Sequence, residues 1–226
     1  MITNISGYRF VHLSDLLHWQ AICQQKCLEL NLKGTVVWSP EGANIMLAGL
    51  DSSISAWIQW LQAFPEFAGL TFKFSLSETV PFKRMMNKIK TALVPGNVDP
   101  LIHTAPAIPP QTLRDWYATG KDFIIIDTRN DYELAAGKFK NALDIALHEF
   151  KEFPEKVAAL PEDIKNKPVV LYCTGGIRCE KAAPLAELAG FKEVYQLEGG
   201  ILEYFKDCGR DFYEGDCFVF DERRKV

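Results

Sequence analysis

The run Val169-Val170-Leu171-Tyr172-Cys173-Thr174-Gly175-Gly176-Ile177-Arg178-Cys179 reads as a strand, a six-residue loop and the start of a helix. Its first four residues are apolar and rich in β-branched Val, as in a buried strand. The loop is Cys173 to Arg178, and the composition of Glu180 to Leu188 is helical. Pro184 is expected near the first turns of that helix, where a missing N–H costs least. A thiol at such a junction faces unpaired backbone N–H groups and the positive end of a helix dipole. Both favour an anion, so Cys173 is expected to be a thiolate of depressed pKa. Gly175 and Gly176 let the backbone curl, and Arg178 adds a fixed positive charge. Burial as a structural thiol is the ordinary fate of a free cysteine. The anion-cradling loop argues against it here.

Two further stretches accompany the first. Phe123-Ile124-Ile125-Ile126-Asp127-Thr128-Arg129-Asn130-Asp131-Tyr132-Glu133 is a strand followed by Asp-x-Arg-x-x-x-Glu. Val194-Tyr195-Gln196-Leu197-Glu198-Gly199-Gly200-Ile201 is a strand ending in a Gly-Gly turn. The three in this order resemble the rhodanese superfamily, whose cysteine carries sulfur as a persulfide. Sulfur-carrying members have six residues from Cys to Arg, as here, whereas related phosphatases have seven. The resemblance implies an α/β domain with a central parallel sheet over residues 111–207. Asp127 and Arg129 are expected to brace the loop through an ion pair.

At 226 residues the chain exceeds one such domain. Residues 1–94 read as β-α-β-β-α-β, a ferredoxin-like (α+β) arrangement similar to acylphosphatase. Its strands are expected at 8–13, 35–39, 43–49 and 71–76. A first helix runs from a cap at Ser14 or Asp15 towards Asn31 and stops at Gly34; a second is capped by Asp51 or Ser52. The segment Pro81-Phe82-Lys83-Arg84-Met85-Met86-Asn87-Lys88-Ile89-Lys90 is the most basic in the chain. It reads either as a solvated edge or helix face, or as a phosphate-contacting stripe. The proline-dense stretch 95–110 is expected to be a semi-rigid linker. The tail 208–226 is too apolar to float and is expected to pack on the body.

The net charge of −4 excludes a wholly basic nucleic-acid coat but leaves room for a local basic stripe. No run approaches the roughly 18 apolar residues of a membrane span, and the start lacks a secretory signal, so a cytoplasmic protein is expected. The six cysteines are Cys23, Cys27, Cys173, Cys179, Cys208 and Cys217. Cys23 and Cys27 lack a second pair at zinc spacing and are expected to pack in a core, with no metal. Cys179 is either a resolving partner for Cys173 or a packing residue.

The combination of residues 173–181, residues 127–133, Phe-Lys-Arg-Met at 82–85 and Gly-Asp-Cys-Phe-Val-Phe-Asp-Glu-Arg at 215–223 resembles the bacterial tRNA uridine hydroxylase family. The resemblance covers essentially the whole chain. It implies oxygen-dependent conversion of the wobble uridine of tRNA to 5-hydroxyuridine, with the essential cysteine at Cys173. Thr174, Gly175, Gly176, Ile177 and Arg178 would then form the active-site loop. Lys83, Arg84, Lys88, Lys90 and Lys181 would contact the RNA. The partner implied is tRNA, with no DNA and no membrane; oligomeric state is open.

The chain departs from the family at Glu41-Gly42-Ala43-Asn44-Ile45, where Glu-Gly-Ile-Asn-Gly is usual. Longer members continue into a Cys-x-x-Cys region. This chain stops at Val226, so Cys208 and Cys217 are read without the partners that region would supply. No flavin or nicotinamide fingerprint and no convincing iron-ligand set is present, so no cofactor is identifiable. Molecular oxygen is the co-substrate the family implies. Cys173 either carries an activated oxygen or sulfur species or adds to the uracil ring, and both routes stay open. A thiosulfate-type sulfurtransferase with a protein or RNA acceptor is the alternative.

Overall fold

The computed structural model describes residues 1–226, which divide into two units, Met1–Leu93 and Val94–Val226. The first unit runs β1 (Ile2–Phe10), α1 (Leu16–Glu29), β2 (Lys33–Ser39), β3 (Gly42–Gly49), α2 (Asp51–Gln62), β4 (Lys73–Ser77) and β5 (Met85–Ile89). Its sheet order is β4-β1-β3-β2-β5. The first four strands form the antiparallel split-βαβ core that the sequence predicts. The basic segment adds a fifth strand, β5, parallel to β2.

Both helices cover one face of the sheet. Trp38, Trp57 and Phe67 are fully buried beneath them, with Trp19, Ile45 and Leu47. Aromatic rings of this size dominate the apolar area a small core removes from water. Cys23 and Cys27 join this core, their sulfurs 4.0 Å apart.

Three elements differ from expectation, and the first is β1, which spans Ile2–Phe10 rather than 8–13, because its pairing with β3 and β4 runs back to Thr3 and Ile2. Helix α1 is capped by the Asp15 carboxylate, which accepts the His18 N–H at 3.1 Å. It ends at Glu29 rather than at Gly34, because Asn31 turns left-handed with φ 52°. Gly34 lies inside β2 instead, where a Cβ would overlap the Met46 carbonyl. Helix α2 has no side-chain cap, and the Asp51 carboxylate accepts the Thr3 hydroxyl at 3.0 Å.

The second unit comprises β6 (Ala107–Ile108), α3 (Pro110–Thr119), β7 (Ile124–Asp127), α4 (Asp131–Leu134), β8 (Gly137–Phe139), α5 (Phe153–Ala158), α6 (Glu162–Lys165), β9 (Pro168–Tyr172), α7 (Cys179–Leu188), β10 (Glu193–Leu197), α8 (Gly200–Cys208) and β11 (Tyr213–Gly215). Its central sheet, β6-β10-β9-β7, is parallel throughout. A parallel sheet buried on both faces requires near-continuous apolar strands. Val169, Val170, Leu171 and Tyr172 accordingly have no exposed surface.

The proline-dense stretch is not a free linker. Its end forms edge strand β6, the Gln196 N–H donates to the Pro106 carbonyl at 3.0 Å, and the Gln196 amide donates to Ala105 and Thr104. Prolines suit an edge because no ladder donor is needed there. Pro184 lies in the interior of α7 rather than in its first turns. The carbonyl that it leaves without an N–H, that of Glu180, accepts the Thr104 hydroxyl at 3.4 Å. The tail returns to the body: β11 pairs with β8, and Cys217 and Val226 exchange two backbone hydrogen bonds of 2.9 Å.

Candidate active site

Strand β9 delivers Cys173 into the loop, and α7 starts at Cys179. The Gly176 N–H donates to Cys173 Sγ at 3.0 Å, and Gly176 has φ 102°, open only to glycine. The thiol is not at an open mouth: Cys173 is 1% exposed, so its sulfur forms the floor of the loop. Burial by itself pushes the thiol up. Hydrogen bonding from Cys179, the Arg178 guanidinium, and the backbone N–H groups of Arg178 and Gly176 outweigh it, and hold Cys173 well below an ordinary thiol. Cys179 moves the opposite way, pushed up by burial and by the bond to Cys173. It is fully buried and neutral, with Thr128 Oγ1 at 3.8 Å from its sulfur. One proton is thus shared between two sulfurs, with Cys173 the anionic one.

Arg178 is held by Glu133. Its two terminal nitrogens donate to the Glu133 carboxylate at 2.6 and 2.8 Å, a fork on a fully buried acid. Glu133 also accepts the Asn130 N–H at 3.1 Å, which fixes it at the start of α4. Arg178 is therefore an ion-paired cation beside the sulfur rather than a lone one. Asp127 and Arg129 do form a buried ion pair, 2.7 Å at its shortest. Arg129 reaches the Gly137 carbonyl at 2.6 Å, so this pair ties β7 to β8 and leaves the loop to Glu133.

From below, α8 locks the loop. The Ile201 and Leu202 N–H groups donate to the Cys173 and Thr174 carbonyls at 3.0 and 3.1 Å. These donors are free because the first turn of a helix has no internal acceptors for them. Gly200 sits under the loop at φ 65°, where a Cβ would overlap the Cys173 carbonyl and lie 2.9 Å from the Gly176 nitrogen. Gly200→Ala is expected to push the loop off α8 and to cut activity by at least about tenfold, the cost of a misplaced reacting group. Steady-state turnover with circular dichroism of the same sample checks this; wild-type turnover would refute the lock.

The remaining expected residues fall into two groups. Lys83, Arg84, Lys88 and Lys90 are all exposed, on or beside β5 in the first unit. Lys181 is 1% exposed, and its ammonium donates to the Gly96 carbonyl at 3.3 Å. It is thus an internal cross-link of the second unit, correcting its expected role as an RNA contact. Glu133 and Gly200 were not singled out by the sequence reading, although one ends the Asp-x-Arg-x-x-x-Glu motif and the other belongs to the Gly-Gly turn. No group of three or more His, Cys, Asp or Glu side chains suited to a metal ion occurs. No helix is long and apolar enough to cross a membrane.

Residues 2–93 match the UPF0176 acylphosphatase like domain, and residues 109–207 match the rhodanese-like domain. The tRNA uridine(34) hydroxylase of Thiobacillus denitrificans is 45% identical over 100% of this chain and 94% of its own length. That of Ralstonia nicotianae is 45% identical over 98% of this chain and 82% of its own. Among solved structures, the rhodanese-like domain from Anabaena sp is similar at 21% identity and a TM-score of 0.41, over 50% of this chain and 80% of that one.

Proposed function

The chain belongs to the tRNA uridine(34) hydroxylase family, and from that membership we propose that it converts the wobble uridine of tRNA to 5-hydroxyuridine. Cys173 is the covalent catalytic residue, and molecular oxygen is the co-substrate. The observation that carries this reading is the buried Cys173 sulfur, kept anionic by Gly176, Arg178 and Cys179. Thr174 to Arg178 form the cradle, in which fixed N–H dipoles stabilise negative charge on sulfur or oxygen without reorganising. One oxygen atom replaces hydrogen at carbon 5, and the other leaves as water. Two electrons and two protons must therefore come from a reductant. Lys83, Arg84, Lys88 and Lys90 hold the RNA backbone, each giving sequence-independent affinity. A tRNA substrate places the work in the cytoplasm.

The test is mass spectrometry of nucleosides from tRNA incubated with the purified protein, a reductant and ¹⁸O₂. A labelled 5-hydroxyuridine at the wobble position is expected. Thiocyanate formation from thiosulfate and cyanide, without any tRNA product, would turn the reading to sulfur transfer.

The thiolate has its own signature. Absorbance near 240 nm, taken as the difference from Cys173→Ser, should titrate at a midpoint below about 7.5, the upper end for activated cysteines. An acid with a depressed native pKa stabilises the fold above its unfolded pKa. That contribution disappears as pH falls through the native midpoint. The difference in stability between wild type and Cys173→Ser should therefore shrink on acidification. A midpoint at the roughly 8.5 of a free thiol would remove the electrostatic basis of the proposal.

A further inference from the structure

The sheet of the first unit has a second face, which neither helix covers. Register defines it: Tyr8 lies opposite Asn44, Asn44 opposite Val37, and Val37 opposite Lys88. One row thus crosses four strands, spanning about 14 Å at the usual strand spacing. The next row carries Lys73, Ser6, Met46, Thr35 and Met86. Phe10 stands two residues along from Tyr8 on the same face, and the two rings meet edge to face at 6.0 Å. Asn87 lies on the opposite, helical face, where its Oδ1 accepts the Trp38 indole N–H at 2.8 Å. The alternation of β5 then turns Lys88 to the uncovered face.

Two properties distinguish this face. Tyr8, Phe10, Met46 and Met86 are half-buried and Lys33 and Lys88 exposed, whereas the smaller Asn4, Val37, Ser39 and Ala48 between them on the same face are buried. Its charged strand residues are Lys33, Lys73 and Lys88, with no Asp or Glu among them. Arg84 and Lys90 continue the same alternation at the two ends of β5. Residues 1–93 hold eight Lys and Arg against six Asp and Glu, net +2 in a chain of net −4. The charge of the first unit is therefore opposite in sign to that of the rest, and the sheet face concentrates it.

We infer that this uncovered sheet face binds unpaired RNA nucleotides, with Tyr8 and Phe10 as the stacking platform and Lys33, Lys73 and Lys88 as phosphate contacts. It rests on the reading of tRNA as substrate and adds which surface grips it and in what form. A four-strand surface with adjacent aromatic rings accepts splayed bases, whereas a duplex keeps its base faces stacked inside and out of reach of those rings. Sheets of this kind stack two or three bases, and stacking tolerates any sequence because every base has a π-face. The anticodon loop supplies such unpaired bases, whereas the tRNA stems do not.

The experiment measures the affinity of the full chain for a labelled single-stranded oligouridine, for a duplex of equal length and for tRNA, across a salt series. Tyr8→Ala with Phe10→Ala should weaken single-strand binding about tenfold or more while leaving the slope of log affinity on log salt unchanged. Tyr8→Phe, which keeps the ring, should bind as wild type. Lys33→Gln with Lys88→Gln should lower the slope by about 0.7 per cation removed. Photocrosslinking of wild-type protein to 4-thiouridine RNA should label peptides bearing Tyr8 or Phe10, whatever the folding of the variants. Unchanged affinity of a folded double-alanine variant, equal ring dependence for duplex, or crosslinks confined to residues 94–226 would each overturn the inference. If wild type made 5-hydroxyuridine while these outcomes held, the sheet assignment alone would fall. If wild type bound no RNA, both readings would.

Discussion

Cys173→Ser should leave the wobble uridine unmodified, with turnover reduced about a thousandfold or more, the scale on which enzymes lose their nucleophile. Serine fills nearly the same volume, so the loop stays folded and the defect isolates chemistry. The structure gives the reason for the size of the loss. The Gly176 N–H, Arg178 and Cys179 all converge on one anion. A hydroxyl in that cradle stays neutral at any accessible pH, and the preorganised dipoles then act on no charge. Quantifying 5-hydroxyuridine by mass spectrometry, in parallel with a thermal melt, checks both halves of the expectation. Wild-type levels of product from Cys173→Ser would remove the sulfur from the reaction altogether.

Glu133→Gln should be the most destabilising single change at the site, by about 3–5 kcal/mol. Glu133 is fully buried and Arg178 has a side-chain exposure of 13%, so loss of the carboxylate leaves a nearly desolvated guanidinium without its partner. Water reaches that position poorly, and the Asn130 N–H would lose its charged acceptor as well. With a urea slope of about 1–3 kcal/mol per molar, the unfolding midpoint of the second unit should fall by about 1 M or more. Glu133→Met combined with Arg178→Met should recover much of that stability, since an apolar pair of similar volume needs no solvation. It should not recover turnover, because the cation beside the sulfur is gone. Equal midpoints for wild type and Glu133→Gln would show that the fork contributes nothing to the fold.

The split-βαβ order of the first unit and the strand–loop–helix of the second were legible because each is written in short-range pattern. Alternation marks strands such as β4, the Asp15 cap marks a helix start, and the β-branched run before Cys173 marks a buried strand, whereas β1 starts six residues earlier than its alternation suggested. The other exceptions have local causes. Asn31 ends α1 through a left-handed turn that an amide side chain tolerates, and composition alone pointed to the glycine three residues on. The basic segment was ambiguous because a parallel edge strand, half wet, has neither a clean helical nor a clean alternating pattern.

The amino-acid sequence by itself determined the candidate cysteine, the length of its loop and the family, since these reside in contiguous residues whose identity does not depend on what lies across the fold. Only the tertiary structure decided which groups act on that sulfur. Glu133 meets Arg178 across 45 residues of chain, Gly200 closes beneath Cys173 from another helix, and Lys181 turns inward to Gly96 rather than outward to RNA. Strand register likewise gathers cations and rings from separate strands onto one face. Such pairings follow from the order in which strands stack and the side on which each residue falls, and no local window of sequence contains either.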